Sequence, residues 1–171
     1  MLLDGDGWRA MFRNIRFEAW RLETLPQYLV PQESQEVEAF RMGKRVAPHT
    51  YSSPYTEDLK RLRNDGKRKG RVHVLTRPLS EYLRFEFSRY YAPHARAGED
   101  IRILDVTGRD NPLRGAQDFW IFDRSTVVLM HYAEDGTQTG REVYEGNPAP
   151  FIEYQRIAEA ESIPFLEYVK E

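Results

Sequence analysis

Cysteine is missing from all 171 residues, which excludes disulfides, thiolate zinc sites, iron–sulfur clusters and cysteine nucleophiles together and fits a reducing compartment. Long apolar runs are missing too. No stretch approaches the roughly 20 apolar residues of a membrane span, and MLLDGDGWRAMFRNIRF carries acids and arginines where a signal peptide needs a continuous apolar segment. The expectation is a soluble, cytoplasmic protein with no membrane partner. A formal net charge of −2 supplies no global attraction for nucleic acid or anionic lipid, so any such binding must be local. Catalytic signatures are equally scarce. Ser80, Ser88 and Ser125 sit outside any GxSxG elbow, no glycine-rich fingerprint follows a strand, and His49, His73, His94 and His131 are too scattered for a helical HExxH pair. No metal and no cofactor is implied.

What is present describes a folded domain. Aromatic residues make up 13% and charged residues 30%, enough apolar bulk for a core beneath a well-solvated exterior. The length fits one domain, and no repeat or composition shift divides it. The pattern gives residues 1–15 as a docking helix and 16–171 as a single α/β (α+β) domain. Residues 71–105 organise the chain as a strand, a helix and a second strand. Val72, Val74 and Leu75 form a β-branched run, and Pro78 stands at a predicted first helical position. Leu79, Leu83, Phe87 and Tyr90 share one helical stripe, while Arg84 and Ser88 face water. Gly98 closes the helix, and Ile101, Ile103 and Leu104 lead to Asp105 at the end of the second strand.

Elsewhere, Trp8, Met11, Phe12 and Ile15 recur at helical spacing. Phe17 to Thr24 alternates as a strand with Trp20 and Leu22 on one face. A short helix follows Pro31 and stops at Gly43. Residues 46–56, with two prolines and no periodicity, read as a mobile surface loop, followed by a helix over Glu57 to Arg63. Residues 118–123, 125–132 and 140–145 read as an antiparallel meander turning at Arg124-Ser125 and at Glu134-Asp135-Gly136. Asn147 caps a last helix with Phe151, Tyr154, Ile157, Ala158 and Glu161 inward, ended by Ser162 to Pro164. One mixed sheet with a central βαβ unit, a C-terminal meander and flanking helices accommodates every segment.

At YLRFEF, AGEDIRI, DFWIFD and FIEYQRIAEAESIPF the sequence resembles an actinobacterial domain family of unknown function, often encoded beside helix-turn-helix regulators. The resemblance runs from Arg16 to Phe165, and Leu79, Tyr82, Leu83, Glu86, Gly98, Glu99, Asp100, Ile101 and Arg102 are its most specific part. It implies a helix-turn-helix regulator as a partner and brings no activity. The order of elements is also similar to the non-catalytic sensor halves of phospholipase D-like proteins. The catalytic form of that superfamily needs HxKxxxxD, whereas His94-Ala95-Arg96 with Asp100 is one residue short and has arginine for lysine, so no catalytic residue is carried over.

Three groups of residues are candidates for sites. Glu86 lies on the packed helical stripe and needs a partner; Arg102, on the returning strand, is expected to form a buried structural ion pair with it, the alternative being a general acid or base. Arg77, Ser80 and Asp105 fall at the carboxyl ends of parallel strands beside a helix amino end, the general ligand position of open α/β sheets. There they are expected to bind a small anionic ligand, with Trp20 or Trp120 as an apolar wall, unless Arg77 and Asp105 simply pair. Lys67, Arg68 and Lys69 crown a basic run over 60–71 that is either a solvated helix end or a nucleic-acid contact. The leading expectation is a non-enzymatic ligand- or partner-binding domain, sensory or accessory to transcription regulation. The alternatives are an enzyme acting on a phosphorylated or acidic small molecule and a weak nucleic-acid binder.

Overall fold

A computed structural model describes residues 1–44 and 53–170. Its frame is one seven-stranded mixed sheet. The strands are β1 (Glu18–Glu23), β2 (Arg68–Leu75), β3 (Asp100–Asp105), β4 (Phe119–Phe122), β5 (Thr126–Tyr132), β6 (Gln138–Val143) and β7 (Ile163–Pro164). Their spatial order is β6-β5-β4-β1-β2-β3-β7, with β1, β2 and β3 parallel and every other pairing antiparallel. Strands β1 and β2 are therefore central, and both of their faces are covered.

Alternation along these strands separates two chemistries. Trp20, Leu22, Val72, Val74, Leu104, Phe119, Ile121 and Val127 face α6 (Ala149–Glu161), whose Phe151, Ile152, Tyr154, Ile157 and Ala158 complete one core. The other face carries two separate apolar clusters. One gathers under α4 (Glu81–Glu86), α5 (Ala92–Ala97) and α7 (Phe165–Tyr168) around Leu83, Phe85, Tyr91, Ile101, Ile103 and Phe165. The second is Ile15, Ala19, Trp120, Phe122, Val128 and Met130 beneath α1 (Gly5–Arg13), which docks Trp8, Met11 and Phe12. Between the two clusters β1 and β2 expose Arg21, Glu23, Lys69, Arg71 and His73 on one face, since Arg21 pairs with Arg71 and Glu23 with His73.

Local chemistry sets the element ends. Ser80 Oγ accepts the Leu83 N–H, so α4 begins at Glu81 rather than at Pro78, which lies in the preceding turn. Helix and strand then meet at Gly98, whose φ of 118° only glycine adopts freely. Between α4 and α5, Phe87–Tyr91 form a π-helical turn in which the Ala92 N–H reaches back to Phe87 O. Helix α2 (Ser34–Arg41) extends a 3₁₀ turn over Pro31–Glu33. Helix α3 (Pro54–Asn64) starts earlier than its apolar spacing suggests, because Ser53 and Thr56 cap it reciprocally; the rest of the expected 46–56 loop lies outside the described residues. The meander falls where its turn residues place it, while β7 and α7 add an edge strand and a helix that the Ile-Pro ending conceals. Glu161 is exposed and pairs with Arg109 at 2.9 Å instead of facing inward. Among the described residues no helix is long and apolar enough to cross a membrane.

Candidate functional site

The gap between the two apolar clusters is a cleft of about 640 Å³ over β1 and β2. Trp8, Phe12 and Trp120 form one wall, Tyr28, Tyr82, Tyr90 and Tyr132 line the other, and Arg21, Glu23, Lys69, Arg71 and Glu86 supply charge. A polar floor inside a two-sided sheet is costly unless its charges are paired. Arg21 and Arg71 sit directly opposite each other on neighbouring strands, a like-charge apposition that destabilises a sheet when it stands alone. Glu23 and Glu99 offset it. Arg71 Nη1 donates to Glu23 Oε1 at 3.1 Å and Arg71 Nε to Glu99 Oε2 at 2.5 Å, with all three side chains at 8% exposure or less. Burial alone would raise both carboxyls. Arg21 and Arg71 instead hold Glu23 at about 2, and Arg71 with Lys69 holds Glu99 well below the usual carboxylate range.

Two cations remain turned to the cleft. Arg21 Nε lies 3.7 Å from Glu23 and its guanidinium lies over the Trp120 ring at 4.8 Å, yet its buried Nε makes no hydrogen bond among the described residues. Lys69 Nζ lies 4.3 Å from the Tyr55 ring centroid, 5.2 Å from Phe12 and 5.6 Å from Trp120. Burial draws its ammonium down to about 8, with Glu99 opposing and Arg21 and Arg71 reinforcing the shift. Tyr55 stacks on His94 at 4.2 Å and donates to Glu99 Oε1 at 2.6 Å. Lys69, Arg21 and Arg71 outnumber Glu23 and Glu99, so this end of the cleft is positive.

The far end is acidic. Tyr82 OH lies 3.0 Å from Glu33 Oε2 and 3.1 Å from Glu86 Oε2, and its single proton serves one carboxylate at a time. Burial, and then repulsion from Glu86, pushes Glu33 up to about 7. Burial and the nearby Glu23 raise Glu86 as well. Beneath them His73 Nε2 donates to Leu25 O at 2.9 Å, and Tyr91 OH lies 2.9 Å from His73 Nδ1 and 3.0 Å from Glu23 Oε1.

The residues singled out from sequence fall in other places. Glu86 and Arg102 do not form a pair: Glu86 descends from α4, whereas Arg102 alternates with Ile101 and Ile103, faces α6, and donates to Ser162 Oγ at 3.0 Å and Ser162 O at 2.9 Å. Arg77 and Asp105 pair with each other at 3.5 Å, and both bond Tyr168 OH at 2.7 Å. Ser80 is a helix cap that also donates to Pro26 O. Trp20 is fully buried in the core under α6, on the sheet face opposite Trp120. Arg77, Ser80, Asp105, Trp20 and Trp120 are therefore not brought around one cavity, although Trp120 walls the cleft. Lys67, Arg68 and Lys69 line one concavity with Arg63, but the charged ends of two of them part. Lys69 faces the cleft, while Arg68 points to the α6 side and binds Glu18, Asp100 at 2.7 Å and Glu159 at 2.9 Å. Of the histidines, His131 pairs with Glu142 at 2.9 Å, and His49 lies outside the described residues. Sequence reasoning passed over Arg21 and Glu23 and did not bring Lys69, Arg71, His73 and Glu99 together with them. The signal was their period of two: charged residues alternate with Trp20, Leu22, Val72 and Val74 on strands that helices cover on both faces.

No curated protein matches the sequence. A family model described as "Domain of unknown function (DUF6879)" matches residues 6–170, nearly the whole chain from α1 to α7, and the protein belongs to that family.

Proposed function

We propose that the domain binds a small molecule carrying a flat apolar part and an anionic group, seated in the cleft over β1 and β2, and that it acts by binding rather than by catalysis. The observation that carries this reading is Arg21, a cation on the floor of an open cleft whose buried Nε makes no hydrogen bond among the described residues. A guanidinium with donors to spare recognises carboxylate or phosphate in a planar fork. Lys69 adds a second cation, and the Trp8, Phe12 and Trp120 wall offers ring faces to a planar body. A sensory role beside a regulator is the biological form this reading takes.

Thermal-shift screening of anionic aromatic metabolites, followed by calorimetry on each hit, tests it. A specific ligand raises the melting temperature by mass action. The shift should vanish in Arg21→Gln and in Lys69→Met and survive in Arg77→Ala. Loss in Arg77→Ala alone would return the site to the strand ends, and a library without hits would defeat the small-molecule reading. A second reading, an enzyme using the same cleft, is favoured by Glu33, whose carboxyl exchanges its proton near pH 7. Turnover of a bound hit that disappears in Glu33→Gln would favour it.

A further inference from the structure

We propose that Glu23, His73 and Glu86 form a binding site for a divalent first-row transition ion at the base of the cleft. One donor atom from each residue lies within 4.8 Å of the others, and His73 Nδ1 is 3.9 Å from Glu86 Oε1. An ion about 2.1 Å from each donor holds them roughly 3 to 4 Å apart, so closure requires contraction by about 1 Å. Two independent features show that the cluster is organised toward an ion.

First, the imidazole is oriented from outside. His73 Nε2 lies 2.9 Å from Leu25 O, and a carbonyl only accepts, so Nε2 carries hydrogen and Nδ1, 2.9 Å from Tyr91 OH and 3.9 Å from Glu86 Oε1, is the nitrogen turned toward the carboxylates. Metal-bound histidines have this arrangement: the remote ring nitrogen donates to a backbone carbonyl, which fixes tautomer and ring plane. Second, Glu86 Oε1 is buried and has no hydrogen-bond partner among the described residues, its side chain being 9% exposed. Tyr82 reaches only the other oxygen, Oε2. A buried carboxylate oxygen without a donor is costly, and an ion beside Nδ1 removes that cost. Arg71 and Arg21 do not, because both are directed at Glu23 Oε1.

The donor set is one nitrogen and carboxylate oxygens with no thiolate, which suits Zn2+ or Mn2+ and disfavours monovalent copper. Tyr91 OH lies 2.9 Å from Nδ1 and donates to Glu23 Oε1 at 3.0 Å, which orients that carboxylate. Glu23 and Glu86 both line the cleft, so the open coordination positions of a bound ion face the space where a small molecule would sit. The site does not depend on the identity of that molecule.

The experiment uses the full chain after chelator treatment, titrated with ZnCl2 and separately with MnCl2 by calorimetry and thermal shift. One ion per chain is expected, with a raised melting temperature. Glu86→Gln should weaken binding at least ~10-fold while leaving the metal-free melting temperature unchanged or higher, since it replaces a buried carboxylate that has one oxygen without a donor. X-ray absorption at the zinc edge of the wild-type protein should show one imidazole ligand. Lack of saturable binding of either ion, equal affinity in Glu86→Gln, or an all-oxygen shell would overturn the assignment.

Discussion

Arg71 ties the floor of the cleft together, and its removal gives the sharpest test of the architecture. Arg71→Met leaves Glu99, among the described residues, with the Tyr55 hydroxyl at 2.6 Å as its side-chain hydrogen-bond donor and leaves Glu23 with the Tyr91 hydroxyl at 3.0 Å and Arg21 at 3.7 Å. Removing one partner of a buried ion pair costs about 3 to 5 kcal/mol. Against a total stability of about 5 to 15 kcal/mol that is a large fraction. At about 2 to 4 °C per kcal/mol for a chain of this size, the melting temperature should fall by roughly 6 to 20 °C. Glu99→Leu should be costly for the same reason, since it strands Arg71 Nε and the Tyr55 hydroxyl. Combining the two replaces two buried charges by apolar groups, so the double variant should cost at least ~1 kcal/mol less than the sum of the singles. Urea unfolding at neutral pH, followed by tryptophan fluorescence, measures all four corners of the cycle. A mild Arg71→Met, or additive single effects, would show that the guanidinium is not the bridge between Glu23 and Glu99.

Two other predictions concern pH and backbone. Glu33, raised to about 7 from 4.5, binds a proton in the folded chain at pH values where the unfolded chain has lost it, so stability should fall as pH rises from about 4.5 to 7. Glu23, held at about 2, works in the opposite sense: its contribution is full above about 4.5, is lost as pH falls toward 2, and amounts to about 3 kcal/mol. These two contributions are together largest near pH 4.5, and melting curves of Glu33→Gln should lose the part of the alkaline-side decline that Glu33 supplies; an unchanged slope would remove Glu33 as its cause. Gly136 has a φ of 93°, and a Cβ there would lie 2.6 Å from Gln27 O, so Gly136→Ala should destabilise by about 1 to 3 kcal/mol in denaturant titrations through local strain.

The frame of the molecule was legible in the chain because its signals are local. Val72 to Leu75, Gly98 and Ile101 to Leu104 announce the βαβ unit, and Asp135-Gly136 announces a hairpin. The contents of the cleft were not, because they depend on strand order. Nothing local states that β1 pairs with β2 and β4, and only that pairing turns Arg21 and Glu23 from solvent-facing alternates into the floor of a covered sheet. Glu86 was rightly read as directed inward, but its partner was drawn from the wrong face: Arg102 and Ile103 are neighbours in sequence with opposite faces in space. At Arg77 the pairing with Asp105 is the alternative the structure shows. Asp105 and Tyr168, the latter delivered by a helix from the far end of the chain, engage the Nε of that arginine.

The π-helical turn at Phe87–Tyr91 has a cost and a return that belong to different levels of the fold. In an unbroken α-helix the residue stacked one turn beyond Glu86 is Tyr90, at i+4; the widened turn passes that place to Tyr91, at i+5. Tyr91 thereby comes to lie over His73 and Glu23 beside Glu86. Deleting one residue between Phe87 and Tyr90 would restore regular winding and improve the helix by its own local standard. Regular winding without that deletion would instead rotate everything from Tyr91 to Gly98 by about 100°, carrying the phenol away from the imidazole and the glycine away from the mouth of β3. The segment is thus a reading frame: its length and its winding together, more than the identity of any one side chain in it, decide whether the two ends of the helix address the same point on the sheet.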